Sequence, residues 1–218
     1  MVEIYDAHEQ GEIVKKWLQQ NGSAIVMGLV LAFGGLFGFK QWQTWQDTKG
    51  QKSYAEFELM NAQLTDGQLD SAMDNFQILK DDYANTPYAS LAALQMARAR
   101  VESKQPELAI NQYRYVMENG RPTGLKVVAR ERLARLLLDQ GQAEEALTTI
   151  DGETDLAGNE ARYAETRGDI LVVLGRKDEA IAAYQKALET LEEGLGDRGL
   201  LVLKLESLGV MEDAEASA

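Results

Sequence analysis

Apolar residues fall along this chain in two regimes. Between Ala24 and Phe39 they run almost unbroken, and nothing from Trp17 to Phe39, between Lys16 and Lys40, carries a formal charge. The dense part is 16 residues long. That is slightly short for a hydrocarbon layer about 30 Å thick at about 1.5 Å per residue. The flanks make up the difference. Trp17 on one side, and Trp42 and Trp45 on the other, suit the two interfaces, while Lys16 and Lys40 can reach outward. An apolar surface around nearly the whole circumference does not suit a buried helix next to a domain with its own partners. The pattern predicts a transmembrane helix over 23–41. No small-x-small cleavage pattern follows Phe39, where the chain reads Lys40-Gln41-Trp42-Gln43, so the helix is expected to remain in the mature protein.

Beyond Ser53 the apolar positions recur at helical intervals, interrupted by polar turns. Four segments share one layout: Gly67-Gln68-Leu69-Asp70-Ser71-Ala72-Met73, Gln105-Pro106-Glu107-Leu108-Ala109-Ile110, Gly141-Gln142-Ala143-Glu144-Glu145-Ala146-Leu147 and Gly175-Arg176-Lys177-Asp178-Glu179-Ala180-Ile181. Their alanines Ala72, Ala109, Ala146 and Ala180 are 37, 37 and 34 residues apart, and Phe76, Tyr113, Ile150 and Tyr184 follow one helical turn later. A period near 34 is that of two antiparallel helices and two turns. Alanine lets the helices of a unit cross closely, where a larger side chain would push them apart. The residue one turn on fills the layer between neighbouring units. A single pair cannot bury its own face, so stacking supplies the core. Residues Leu200 to Leu208 add a further apolar helix placed to cover the open end.

Composition agrees with helices throughout. Only three prolines interrupt the chain, and no β-branched runs alternate with hairpin turns. The formal charge is −13, and from Gln41 onward 19 Lys+Arg face 31 Asp+Glu. That balance argues against nucleic-acid binding, which needs surplus cations to replace counterions. There is no cysteine, and the one histidine, His8, lies near the start. Disulfides, a thiolate metal site and a cysteine nucleophile are excluded. No phosphate loop, H-E-x-x-H or G-x-S-x-G occurs. No catalytic residue, cofactor or metal is therefore assigned, and the chain is not read as an enzyme. One local exception to the acidity runs from Arg98 to Arg135, with nine Lys+Arg against four Asp+Glu. It fits either an acidic partner or headgroups, or a solvated face balanced by acids on neighbouring helices.

Within the span, Ala24, Gly28 and Ala32 recur every four residues, and Gly34 and Gly38 form a GxxxG. Gly28, Ala32, Gly34 and Gly38 are candidate packing positions for a second membrane helix, because small side chains permit close approach. Glycine is also simply frequent in membrane helices. Lys15 and Lys16 on one side nearly balance Lys40, Lys49 and Lys52 on the other, so charge does not fix the orientation.

The last unit resembles a tetratricopeptide repeat: Gly168, Gly175, Ala180, Tyr184 and Ala187 occupy that family's glycine, glycine, alanine, aromatic and alanine places. In the earlier units Met60, Ala97 and Ala134 stand where Gly168 does, and the family's early tryptophan is missing. The expected fold is all-α. One N-terminal transmembrane helix precedes a right-handed tetratricopeptide-like helical-hairpin solenoid of about four repeats with a C-terminal capping helix. Expected divisions are a short acidic tail over 1–22, the span over 23–41, a juxtamembrane linker over 42–52, the repeats over 53–209 and a disordered tail over 210–218. In such arrays the first helices line a groove. Placed on that pattern, Tyr54, Phe57, Leu91 and Leu94 give it an apolar end, and Arg98 and Arg135 a charged middle. A shifted register would instead put several of them in the core.

The whole arrangement is similar to the YfgM family: Glu3-Ile4-Tyr5 near the start, one glycine-rich span, aromatic residues after it and degenerate repeats to the end. That resemblance implies an ancillary subunit of the bacterial SecYEG translocon in the inner membrane, with a cytoplasmic N-terminus and periplasmic repeats. It further implies a PpiD-like periplasmic prolyl isomerase as partner, and unfolded secreted chains as possible clients.

Overall fold

The computed structural model describes residues 7–192 and 196–210; the Glu3-Ile4-Tyr5 run, and the expected tail beyond Val210, lie outside them. The described residues form helices α1 (Ala7–Thr65), α2 (Leu69–Asp82), α3 (Pro87–Glu102), α4 (Pro106–Asn119), α5 (Thr123–Asp139), α6 (Ala143–Asp151), α7 (Glu160–Val173), α8 (Lys177–Thr190) and α9 (Arg198–Ser207), with no strand among them. Contacts divide the chain into two units, Met1–Gln51 and Lys52–Ala218.

The first unit holds one helix long and apolar enough to cross a membrane. Its apolar side chains face outward; Leu31 is 71% and Phe37 74% exposed. The stretch 42–52, expected as a linker, is helical and part of α1. Nothing in Gln41 to Lys52 except Gly50 opposes a helix.

In the second unit, helices pair in sequence, α3 on α4, α5 on α6 and α7 on α8, and α9 packs on α8. The turn inside each of these pairs, and the one between α1 and α2, is built the same way. At Gly67 the backbone φ is +73°, and the Gly67 and Gln68 N–H groups donate to the carbonyls of Leu64 and Gln63 at 3.1 and 2.8 Å. Gly141 (φ +76°) and Gly175 (φ +72°) repeat this arrangement. This is a Schellman cap, which satisfies the last carbonyls of a helix and needs a left-handed residue. In the second repeat that residue is Lys104, at φ +58°, with Gln105 donating to the Arg100 carbonyl at 2.8 Å.

The alanines singled out by spacing are where helices meet: Ala72, Ala109, Ala146 and Ala180 are all 0% exposed. Gly168, also buried, lies under the Tyr184 ring so closely that a Cβ there would fall inside it. The buried residues fall into three clusters, the third being Leu171, Ala180 and Ala183, joined through half-buried Leu147 and Leu208. One cluster runs from Met60 to Ile150 and takes in Tyr163 and Ile170. A second joins Ala164, Tyr184 and Ala187 of the fourth repeat to Leu201 and Leu205 of α9. Of the apolar residues expected to cap the array, Leu201 and Leu205 face inward, while Leu200 and Leu203 are exposed.

Candidate interaction face

The first helix of each repeat lies beside the first helix of the next. Tyr54 and Phe57 of α1 stack against Tyr88 of α3, with ring centroids 5.5 and 5.7 Å apart. The Arg121 N–H, just before α5, donates to Ser90 Oγ of α3 at 2.9 Å. The Tyr163 hydroxyl of α7 donates to the Val127 carbonyl of α5 at 2.7 Å. Lys204 of α9 donates to Glu165 and Asp169 of α7, at 2.7 Å each. Burial is the leading cause that pushes the Tyr163 and Tyr184 phenols well above their ordinary range; for Tyr184 the hydrogen bond it donates to Asp169 adds to it.

Equivalent places along this face form columns with the alanine spacing. Tyr54, Leu91, Val128 and Arg162 make one; Phe57, Leu94, Glu131 and Glu165 a second; Asn61, Arg98, Arg135 and Asp169 a third. The second column sits in the seam between adjacent first helices. Leu94 is 5% and Glu131 3% exposed. Leu94 is therefore a core residue, and its expected place on an open groove is corrected: it is buried within the large apolar cluster rather than open to solvent. Phe57 is half-buried against the same core. Tyr54 is 49% exposed, Leu91 is half-buried, and the Arg98 and Arg135 side chains are exposed.

The seam changes chemistry along the array. At the α1–α3 end it is aromatic and aliphatic. At α5–α7 the buried Glu131 carboxylate accepts from Arg135 Nε and from the Thr166 hydroxyl at 3.2 Å, with Arg162 at 3.7 Å. Arg135 Nε also donates to Thr166 Oγ1 at 3.1 Å. A buried acid is tolerated only when its lone pairs are met in this way. At α7–α9 the seam is the Lys204 cluster, which the amino-acid pattern did not bring forward. Its one visible trace is the pair Glu165 and Asp169, one turn apart on a first helix.

Much of the Arg98–Arg135 cationic run is balanced locally, through Arg98–Glu102, Arg114–Glu145, Arg130–Glu153 and Arg135–Glu131. Among the described residues no group of His, Asp and Glu is placed to hold a metal ion. In the membrane segment, a Cβ added at Gly28, Gly34 or Gly38 would meet nothing within 4 Å, so no contact within this chain requires glycine there.

A family model described as a tetratricopeptide repeat-like domain matches residues 15–210. Among solved structures, a Pseudomonas aeruginosa pilF chain superposes with a TM-score of 0.57 at 18% identity, covering 74% of this chain and 69% of that one. The MamA protein gives 0.51 at 18%, covering 65% and 74%. Both likenesses concern the fold. A relative named ancillary SecYEG translocon subunit, from Aggregatibacter actinomycetemcomitans, is 33% identical over 208 residues, 94% of this chain and 99% of the relative. The relative of the same name from Escherichia coli K12 is 30% identical over 195 residues, 87% of this chain and 91% of the relative. These names describe a subunit of an assembly and not an enzyme. The match takes in both the apolar helix and the repeats, and the chain belongs to the family of ancillary SecYEG translocon subunits.

Proposed function

We propose that this protein is a single-pass inner-membrane scaffold that associates with the SecYEG translocon and holds protein segments on the face made by its first helices. Its N-terminus lies in the cytoplasm and its repeats in the periplasm, where it assists secreted or membrane proteins beside a PpiD-like prolyl isomerase. The observation that carries this reading is the 94% coverage of the chain by a relative named for that translocon. A scaffold needs an open apolar contact point, and Tyr54, 49% exposed and stacked on Tyr88, supplies one. In the span, the face of Gly28, Ala32, Gly34 and Gly38 is the proposed contact for a partner helix.

Photo-crosslinking residues at Tyr54 and Leu91, in intact membranes, test the reading. Adducts with translocon subunits or with exported chains are expected; their absence at both places would remove the face from the function. Protease added to spheroplasts should degrade the repeats, and full protection would reverse the orientation. Gly34→Leu with Gly38→Leu should reduce translocon recovery in detergent while insertion persists.

A further inference from the structure

We infer that the segments held on this face are acidic ones, gripped by Arg98 and Arg135 acting as a pair. The inference rests on the scaffold reading above and specifies its ligand. The two arginines hold equivalent places in successive repeats, 37 residues apart, on neighbouring first helices. Each is tethered through the same atom. Arg98 Nε donates to Glu102 at 2.8 Å, and Arg135 Nε pairs with the buried Glu131 and donates to Thr166. Among the described residues the hydrogen bonds that these two arginines donate run from Nε, and none runs from an Nη atom. A guanidinium held by its Nε side keeps an oriented pair of N–H donors, the arrangement that takes a carboxylate in bidentate fashion.

Charge strengthens the case. Glu131 carries one negative charge between Arg135 and Arg162, so this cluster keeps a surplus cation, while Glu102 offsets Arg98. The rest of the domain is strongly acidic and repels acidic segments elsewhere. A cationic place in such a field fixes where an acidic chain docks, and in which register. At one end of the same face lie Tyr54 and Leu91; at the other, Lys204 offsets one of the two charges of Glu165 and Asp169 and lessens their repulsion. The ligand class is therefore an extended protein segment with an apolar side chain and two carboxylates. Those carboxylates stand about 10 Å apart, the separation of packed helices. Hydrophobic contact supplies affinity and the carboxylates supply selection.

The test uses the full chain in nonionic detergent and short labelled peptides, read by fluorescence anisotropy. One peptide carries an aromatic residue and two glutamates at that spacing; its control carries glutamines. The glutamate peptide should bind about tenfold more tightly and lose its advantage in high salt. Arg98→Gln, on an exposed helix surface, should remove much of the difference without changing the melting temperature. Glu131→Gln with Arg135→Gln leaves the surplus charge on Arg162 but removes one arginine of the pair, and should reduce the difference by a smaller factor. Equal binding of both peptides, or an undiminished difference in both variants, would overturn the acidic specificity while leaving the scaffold reading intact. Binding of neither peptide would count against the scaffold reading itself. A chain ending at Val210 that binds the glutamate peptide several-fold more tightly would make the chain's own Glu212, Asp213 and Glu215 the resident occupant, and would overturn an external one.

Discussion

Lys104 holds a left-handed backbone where the other three repeats have glycine. A side chain in that conformation costs about 1–2 kcal/mol. Lys104→Gly should therefore raise stability by about 1 kcal/mol and the melting temperature by about 2–4 °C. Gly168 gives the opposite sign. Alanine in a helix ordinarily gains about 1 kcal/mol over glycine. Here the added methyl would enter the Tyr184 ring, and overpacking costs about 1–3 kcal/mol. Gly168→Ala should lower the melting temperature, and a rise would place the ring elsewhere. The glycine turns and alanine crossings are legible in the amino-acid pattern because each is a local backbone or steric demand met by one residue type. Lys104 is not legible in this way, since nothing in a lysine announces a left-handed backbone. Leu94 fails for a different reason. Helical spacing says which residues share a stripe, but not which stripe abuts the neighbouring helix.

Among the elements, α9 is attached by a small apolar seat and by ions. Leu201 and Leu205 are its buried residues, and Lys204 binds two carboxylates on α7. Lys204→Met keeps the stem but leaves Glu165 and Asp169 without their cation, both only partly exposed. Losing charged hydrogen bonds of this kind costs about 1.5–3 kcal/mol, discounted here for partial exposure. Hydrogen exchange should speed up across Arg198–Ser207 while α3 and α4 stay protected. Uniform loss of protection would mean that the cap is coupled to the entire array. This cluster was beyond sequence reasoning because its partners lie 35 and 39 residues apart, a separation that no helical period marks. The Arg98 and Arg135 column was legible, because the 37-residue spacing of the first three alanines puts both arginines one period apart.

For the molecule as a whole, the buried tyrosines predict a loss of stability at alkaline pH. Tyr113, Tyr115, Tyr163 and Tyr184 are all raised above the ordinary phenol range, with burial the leading cause in each. The unfolded chain releases these protons near pH 10, as free tyrosine does. Above that pH it holds fewer protons than the folded protein, so stability falls as pH rises, and below it the contribution is fully present. Denaturant midpoints at about pH 8 and about pH 11 should therefore differ, with the lower midpoint at the higher pH. Tyr113→Phe with Tyr115→Phe should flatten that fall; an unchanged slope would assign it to other groups.

The divided core also bears on how the protein is made. Chains emerge N-terminus first, and the cluster from Met60 to Ile150 is nearly complete when α6 has appeared. The fourth repeat is different, since its inner tyrosine and its acids are finished by residues of α9. A nascent chain that has delivered α8 still presents Glu165 and Asp169 without Lys204. The last repeat is thus the last to set, and a chain cut short before residue 204 would hold a firm front half and an unfinished end.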